Sequence, residues 1–228
     1  MGDDLRMRPL KHGYTNSTRG DGAVVNKTYE GPDTDLRLGR EYTLLTRLQG
    51  RLPVPPVHAA TTTTLTLGFV AGAPGQELVE AQPAAVLASC GEVLRRIHTV
   101  PPDVLTADRH EAGEVLVHGD FGPNNLLLNP DTFEVTAVVD WEFAHLGKPV
   151  EDLAWCEWIV RMHHPSCTHA LDHFFRAYGG RVPSWVDRRA AMLARCEQLR
   201  QFCDRWDPNG PGVRQWQERT ATTASWSE

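Results

Sequence analysis

The sequence predicts an α+β fold in two lobes, a small antiparallel β lobe carrying one helix, then a larger and mostly helical lobe. Three observations carry this. β-forming runs crowd the chain up to Val70, and a single helical stripe interrupts them. A breaker, Ala71-Gly72-Ala73-Pro74-Gly75, then divides the chain. Beyond it, apolar residues recur at helical spacing, with one pair of strands set among the helices. A chain of 228 residues can bury a core in such an arrangement. The expected division is residues 1–72 for the first lobe, a linker at about 68–75, and residues 73–228 for the second.

Residues 10–30 open the chain's readable structure. Gly13, Gly20 and Gly22 punctuate the small polar run Thr15-Asn16-Ser17-Thr18, and Ala23 to Tyr29 is rich in β-formers. This reads as a hairpin with a Gly-containing tip, a loop able to lay backbone N–H groups against phosphate oxygens or to serve as a plain turn. Lys27 lies in its strand. Lysine is scarce here, occurring only as Lys11, Lys27 and Lys148. A lone strand lysine can act as a fixed point charge for phosphate; a solvated strand position is the alternative.

Residues 33–49 form the helical stripe, with Leu38, Leu44, Leu45 and Leu48 in phase and Gly50 stopping the run. Glu41 sits between turns of that stripe. An inward carboxylate wants a cation, and Lys27 is the nearest candidate in sequence. Residues 51–58 are Pro-rich and extended. Thr61 to Val70 reads as a hairpin whose second strand presents Leu65, Leu67 and Phe69. Pro83 to Thr99 is a core helix with Cys90 on its apolar side. The segment after Pro149 starts another helix through Trp155, Ile159 and Met162, and residues 168–206 supply two more. The tail after Pro208, rich in Gly, Pro, Thr and Ser, is expected to be loose.

Between these helices lies the chemically richest stretch, Leu116 to Trp141. A polar knot, His118-Gly119-Asp120, follows an apolar run, and Asn125 comes five residues after Asp120. Leu126-Leu127-Leu128 and Val135 to Val139 then flank the turn Asn129-Pro130-Asp131, and the second strand ends at Asp140. Hard oxygen ligands gathered by a hairpin suit Mg²⁺, which takes carboxylate, amide and phosphate oxygens.

Composition bounds the function further. The net charge of −6 lacks the basic footprint of a nucleic-acid binder and suits a cationic small substrate only weakly. Five cysteines without CxxC spacing point to a reduced, cytoplasmic setting. No secretory leader, lipidation signal or membrane-length apolar run is expected.

The order of these features resembles the aminoglycoside phosphotransferase and choline kinase-like family, relatives of protein kinases. The resemblance covers roughly residues 10–160. It rests above all on VHGDFGPNN and VVDWEFAHLGKPVEDLAW, which look like that family's catalytic and metal loops. Gly122 and Asn124 stand where the family often has His and Gly, while Pro123 and Asn125 keep their places. The resemblance implies a two-lobed protein kinase-like fold and an ATP- or GTP-dependent, Mg²⁺-dependent transfer of the γ-phosphate to a small-molecule hydroxyl, of an aminoglycoside or another amino-alcohol or sugar. It implies Asp120 as catalytic base or aligner, and Asn125 and Asp140 as Mg²⁺ ligands. Lys27 would meet the α/β-phosphates and pair with Glu41, while Thr15 and Asn16 would lie in the phosphate loop. Backbone groups near Gly68 and Val70 would receive the adenine, and His118 and Asp152 would brace the catalytic loop. Phosphoryl transfer needs in-line positioning and neutralised charge, which these residue types supply.

For the acceptor, position suggests Glu142, Glu157 and Asp172, with Trp155 and Trp158 nearby. Acids beside aromatics suit a cationic amine, although each residue also fits an ordinary helix-face acid or core tryptophan. No macromolecular partner or membrane is expected, and a monomer is the simplest state. Rival readings are a catalytically inactive nucleotide-binding module, a metal-dependent phosphatase, and a zinc site among Cys156, His163, His164, Cys167, His169 and His173. The His169/His173 spacing of i, i+4 favours the last, but no accepted finger spacing does.

Overall fold

A computed structural model describes residues 7–10, 16–105 and 111–228. Strands β1 (Arg8–Pro9), β2 (Ser17–Gly20) and β3 (Val24–Thr28) come first, followed by helix α1 (Thr34–Leu48) and the hairpin β4 (Val57–Ala60) and β5 (Thr64–Gly68). These five strands form one antiparallel sheet in the order β1-β2-β3-β5-β4. The order puts β3 at the centre, with Lys27 opposite Leu65. Asp21 closes the β2–β3 turn by accepting the N–H groups of Ala23 and Val24 at 2.8 and 2.9 Å. Leu65 and Leu67 are buried, as their alternation predicts. Phe69 departs from the pattern, since it lies past the end of β5 and is 46% exposed.

Helix α1 buries Leu38, Leu44, Leu45 and Leu48, and the same face buries Arg37 and Glu41. Two buried charges on an apolar stripe require partners, and the site described below supplies them. After β6 (Ala73–Pro74) and the single turn α2 (Gly75–Leu78) comes α3 (Pro83–His98), started by its proline. The central stretch forms β7 (Val115–Val117), β8 (Leu126–Leu128), β9 (Val135–Val138) and β10 (His145–Gly147). Strands β6, β8 and β9 make one small sheet, and β7 and β10 make another. Helices α4 (Val150–His163), α5 (Leu171–Tyr178), α6 (Trp185–Trp206) and α7 (Pro211–Ser225) complete the chain.

The main core runs from Leu44, Leu45 and Leu65 to Leu87, Leu116, Leu126 and Trp141, all fully buried. A second cluster joins α4, α6 and α7 through Trp155, Trp158, Met192 and Cys196, with Trp216 packed against it. It overturns the expectation of a loose tail. Val213 and Thr223 are buried, the Trp216 ring stacks on Trp158 at 5.6 Å, and the Trp158 indole donates to Thr223 Oγ1 at 2.8 Å. The Gly and Pro after Pro208 start a helix rather than end structure, because a first-turn proline lacks only an N–H the helix would leave unpaired. No helix among the described residues is long and apolar enough to cross a membrane.

Candidate active site

The site begins with a buried lysine. Lys27 is 6% exposed, and its Nζ lies 2.6 Å from Glu41 Oε2 and 2.5 Å from Asp140 Oδ1. Burial alone would push the ammonium toward neutrality. The carboxylates of Asp140, Glu41 and Glu142 outweigh it and hold the pKa well above the ordinary lysine value. Glu41 is fixed in turn by the Tyr29 hydroxyl at 2.6 Å and the Trp141 backbone N–H at 3.3 Å. The cluster therefore joins β3, α1 and the residues after β9. Asp140 itself has φ 68°, a left-handed conformation that carboxylate residues adopt at some cost and that recurs at functional sites.

Across from this cluster stands the loop between β7 and β8. Gly119 has φ 83°, and a Cβ there would meet the Phe143 carbonyl oxygen at 2.5 Å, so the position admits only glycine. Asp152, on the first turn of α4, accepts the backbone N–H groups of His118 at 2.7 Å and Gly119 at 3.0 Å. His98 of α3 lies 3.1 Å from the same carboxylate. Burial would raise the Asp152 pKa, but the hydrogen bond and charge of His98 and the contacts with His118 prevail and hold it below the usual value. His118 is fully buried, with Nε2 3.0 Å from the Val139 carbonyl, which ties this loop to the segment between β9 and Asp140.

Asp120 points out of the loop. The Trp155 indole donates to its Oδ1 at 2.8 Å, and the Asn125 amide donates to its Oδ2 at 2.9 Å and to its carbonyl at 2.7 Å. Burial raises its carboxyl above the ordinary aspartate value; Arg195 pulls down, the charge of Asp140 pushes up, and the Trp155 hydrogen bond opposes. Because the Asn125 nitrogen is spent on Asp120, its amide oxygen is the group left for a cation. Asp140 keeps a second oxygen beside the one on Lys27, and its side chain is 32% exposed. An amide oxygen and a carboxylate on one cavity fit Mg²⁺. That cavity, of about 420 Å³, is lined by Lys27, Gly68, Val70, Asn125, Leu127 and Asp140.

The sequence-predicted residues divide clearly. Lys27, Glu41, Asn125, Asp140, Gly68 and Val70 come together on this cavity, with Asp120 beside Asn125 and with His118 and Asp152 behind the loop. Thr15 lies outside the described residues. Asn16 borders the cavity, but its amide is committed: Nδ2 to Glu142 at 2.8 Å, Oδ1 to the Glu30 N–H and to Arg37 at 3.3 Å each. Its side chain is thus turned toward Glu142, Glu30 and Arg37.

The acceptor residues need correction. Glu142 is fully buried under Lys27, bound by Asn16 and by Arg37 at 2.8 Å, and burial pushes its pKa up to about 7. Glu157 is buried between Arg161 and Arg188 at 2.8 and 2.7 Å and ties α4 to α6. Asp172 is exposed on α5, the helix that packs on α3, and lines neither cavity described here. Glu142 and Glu157 are closed off in the interior against arginine partners and do not reach a cationic amine, although Glu142 Oε1 itself accepts no hydrogen bond among the described residues. The His/Cys group is likewise dispersed: Cys167 Sγ meets the Val79 carbonyl, His164 faces Glu80, and His169 bonds the Ser166 carbonyl. Among the described residues only Glu41, Asp140 and Glu142 converge like a metal cluster, and Lys27 sits against all three.

Sequence reasoning missed Arg37, His98 and Arg195. Arg37 had a signal, since it precedes Glu41 by four residues and so shares its inward helix face. His98 and Arg195 had none, because the groups that give them their place, Asp152 for His98 and Trp155 for Arg195, lie on α4.

Comparison with known proteins follows this geometry. A family model described as "Phosphotransferase enzyme family" matches residues 6–114 and 105–193. Acyl-CoA dehydrogenase family member 10 of Mus musculus is 52% identical over 40 residues, 18% of this chain and 4% of that protein. Acyl-CoA dehydrogenase family member 11 of Homo sapiens is 27% identical over 94 residues, 41% of this chain and 12% of that protein. The matches thus span a small fraction of those relatives. Among solved structures, a macrolide 2'-phosphotransferase from Brachybacterium faecium superposes with TM-score 0.68 at 20% identity, covering 99% of this chain and 94% of the other. The GDP complex of aminoglycoside 2'-phosphotransferase-IIIa gives 0.72 at 14%, covering 97% and 94%. The ADP and streptomycin complex of an aminoglycoside phosphotransferase from Streptomyces rimosus gives 0.66 at 19%, covering 83% and 91%. Identities this low speak for a shared two-lobed kinase-like fold. With the family model matched along most of its length, the chain belongs to the phosphotransferase enzyme family.

Proposed function

We propose that the chain is a Mg²⁺-dependent kinase that moves the γ-phosphate of ATP or GTP to a hydroxyl of a small molecule. One observation carries this reading: Lys27, Glu41, Asp140 and Asn125 meet at one cavity, and Asn125 donates to Asp120 just outside its lining. Residues 1–72 would form the nucleotide lobe and residues 73–228 the acceptor lobe, with the base lying on the backbone of Gly68 and Val70. Lys27, held charged by its carboxylate partners, would meet the α/β-phosphates, and Glu41 would fix its position. Asn125 and Asp140 would hold Mg²⁺, which neutralises phosphate charge when bound. Asp120 would orient the acceptor hydroxyl and take its proton. Its raised carboxyl makes it a better proton acceptor than an ordinary aspartate, and Trp155 and Asn125 fix both oxygens. A cytoplasmic setting, with five free cysteines, and a monomeric state complete the proposal.

The Lys27–Glu41 pair makes a phosphatase the weaker reading, since hydrolysis would leave that pair without a task. Mg²⁺-dependent ADP release in the presence of a hydroxyl acceptor tests the proposal. Asp120→Ala is expected to lower kcat by roughly 10²- to 10⁴-fold, the usual worth of a positioned general base, with nucleotide affinity kept. Unchanged turnover in that variant overturns the assignment.

A further inference from the structure

A second cavity, of about 260 Å³, lies between α1 and α6. Its walls carry four guanidinium groups, those of Arg37, Arg40, Arg195 and Arg205, beside the rings of Phe143 and Phe202. One carboxylate, Asp33, borders it and is paired with Arg205 at 2.8 Å. In a chain of net charge −6 this local excess of positive charge stands out. Arg37 is satisfied by Glu142. Arg40 spends Nη1 on the Glu142 carbonyl at 2.8 Å. Arg195 is the least satisfied: Nη1 donates to Gln198 at 3.1 Å, while Nε and Nη2 are buried with no partner among the described residues. Buried donors of a charged group left unpaired are costly, and a ligand oxygen is a natural remedy.

Arg195 also connects this cavity to the chemistry. Its guanidinium lies over the Phe143 ring at 4.9 Å and near the Trp155 ring at 5.9 Å, and Trp155 holds Asp120 Oδ1. An acceptor whose hydroxyl meets Asp120 could therefore extend past Trp155 toward the arginines. We propose that this cavity seats an anionic group of the acceptor, a carboxylate or a phosphate, against Arg195 and Arg40. The inference rests on the kinase reading above and changes its acceptor class, from the cationic amine suggested by Glu142 and Glu157 to an anion. A guanidinium pairs with planar or tetrahedral oxyanions through parallel N–H donors, so both anions fit.

The test separates this inference from the kinase reading. The nucleotide site is first filled with a non-hydrolysable ATP analogue and Mg²⁺, and inorganic phosphate is then titrated by calorimetry. Saturable phosphate binding is expected, weakened by about tenfold or more in Arg195→Gln and in Arg40→Gln, with analogue affinity unchanged. Arg40→Gln guards against misfolding of the more buried Arg195 variant. In a turnover screen, hydroxy acids and sugar phosphates should be phosphorylated in preference to choline, neutral sugars and aminoglycosides, and the two anionic groups distinguish carboxylate from phosphate. Absent phosphate binding, binding in both variants as tight as in the unsubstituted protein, or preference for a cationic acceptor overturns the inference. Failure of the analogue to bind instead sinks the kinase reading, and phosphate titration of the free protein still reads the cavity.

Discussion

The two sides of the cleft are built by different means. The Lys27 cluster is assembled from side-chain charges on distant segments: β3, α1 and the residues after β9. The Asp120 loop is held mainly through its backbone, by one buried carboxylate and one glycine conformation. The first is a balance of charges in which each member compensates the others. The second is a local shape with a brace behind it. Breaking one should therefore be felt as uncompensated charge, and breaking the other as misplaced geometry.

The largest expected effect is on catalysis. Asp120→Ala should remove turnover as described, at a stability cost of about 1–3 kcal/mol because the buried Trp155 indole N–H loses its acceptor. Lys27→Met comes next and strikes the charge-balanced side. It strands Glu41, Asp140 and Glu142 together, and loss of one partner from a buried pair costs about 3–5 kcal/mol. Denaturant unfolding checks it. Lys27→Met with Glu41→Gln should recover part of that loss, and strictly additive costs would refute mutual compensation.

On the backbone-held side, Asp152→Asn should cost about 1–3 kcal/mol at neutral pH, because one buried N–H loses its charged acceptor. The pH dependence has a definite sign. The native carboxyl is held below the ordinary value of 3.8, so its stabilisation is present above that value and lost as pH falls through the lower folded one. Acid unfolding of the Asn variant should be correspondingly shallower. An identical acid profile would show that Asp152 does not carry this term. Gly119→Ala adds a Cβ against the Phe143 carbonyl at a positive φ and should cost about 1–3 kcal/mol together with activity. Gly113→Ala shares the positive φ without the contact and serves as the control; the two should differ. The smallest effect is expected far from the cleft. Trp216→Ala removes one ring from the stack on Trp158 and should cost about 0.5–1.5 kcal/mol beyond its lost burial, with kcat unchanged.

The difference between the two sides also explains what could be read in advance. The Asp120 loop is contiguous, so spacing alone located Asp120, Asn125 and Asp140 on one hairpin. Lys27 and Glu41 were legible as a pair because scarcity singled out one and helical phase the other. Glu142 was misplaced because sequence position cannot say which side of a strand end a carboxylate faces. Glu157 failed for the same reason: α4 is buried nearly all round, so its acids show no polar face to read. The tail was misjudged because Val213, Trp216 and Thr223 mark a helical stripe too sparse to outweigh Gly, Pro and Thr in its composition.

The sequence by itself determined the succession of strands and helices and the placing of Asp120, Asn125 and Asp140 along one hairpin, because these depend on backbone preference and on contacts near in the chain. Only the tertiary structure decided which charges neutralise which, since Arg37, Glu142, Asp152, His98 and Arg195 find their meaning in partners on other elements. It alone turned the expected acidic acceptor site into buried ion pairs and placed four arginines around the neighbouring cavity. Coulomb and hydrogen-bond energies act through space, and the distances that set them exist only once the helices have packed.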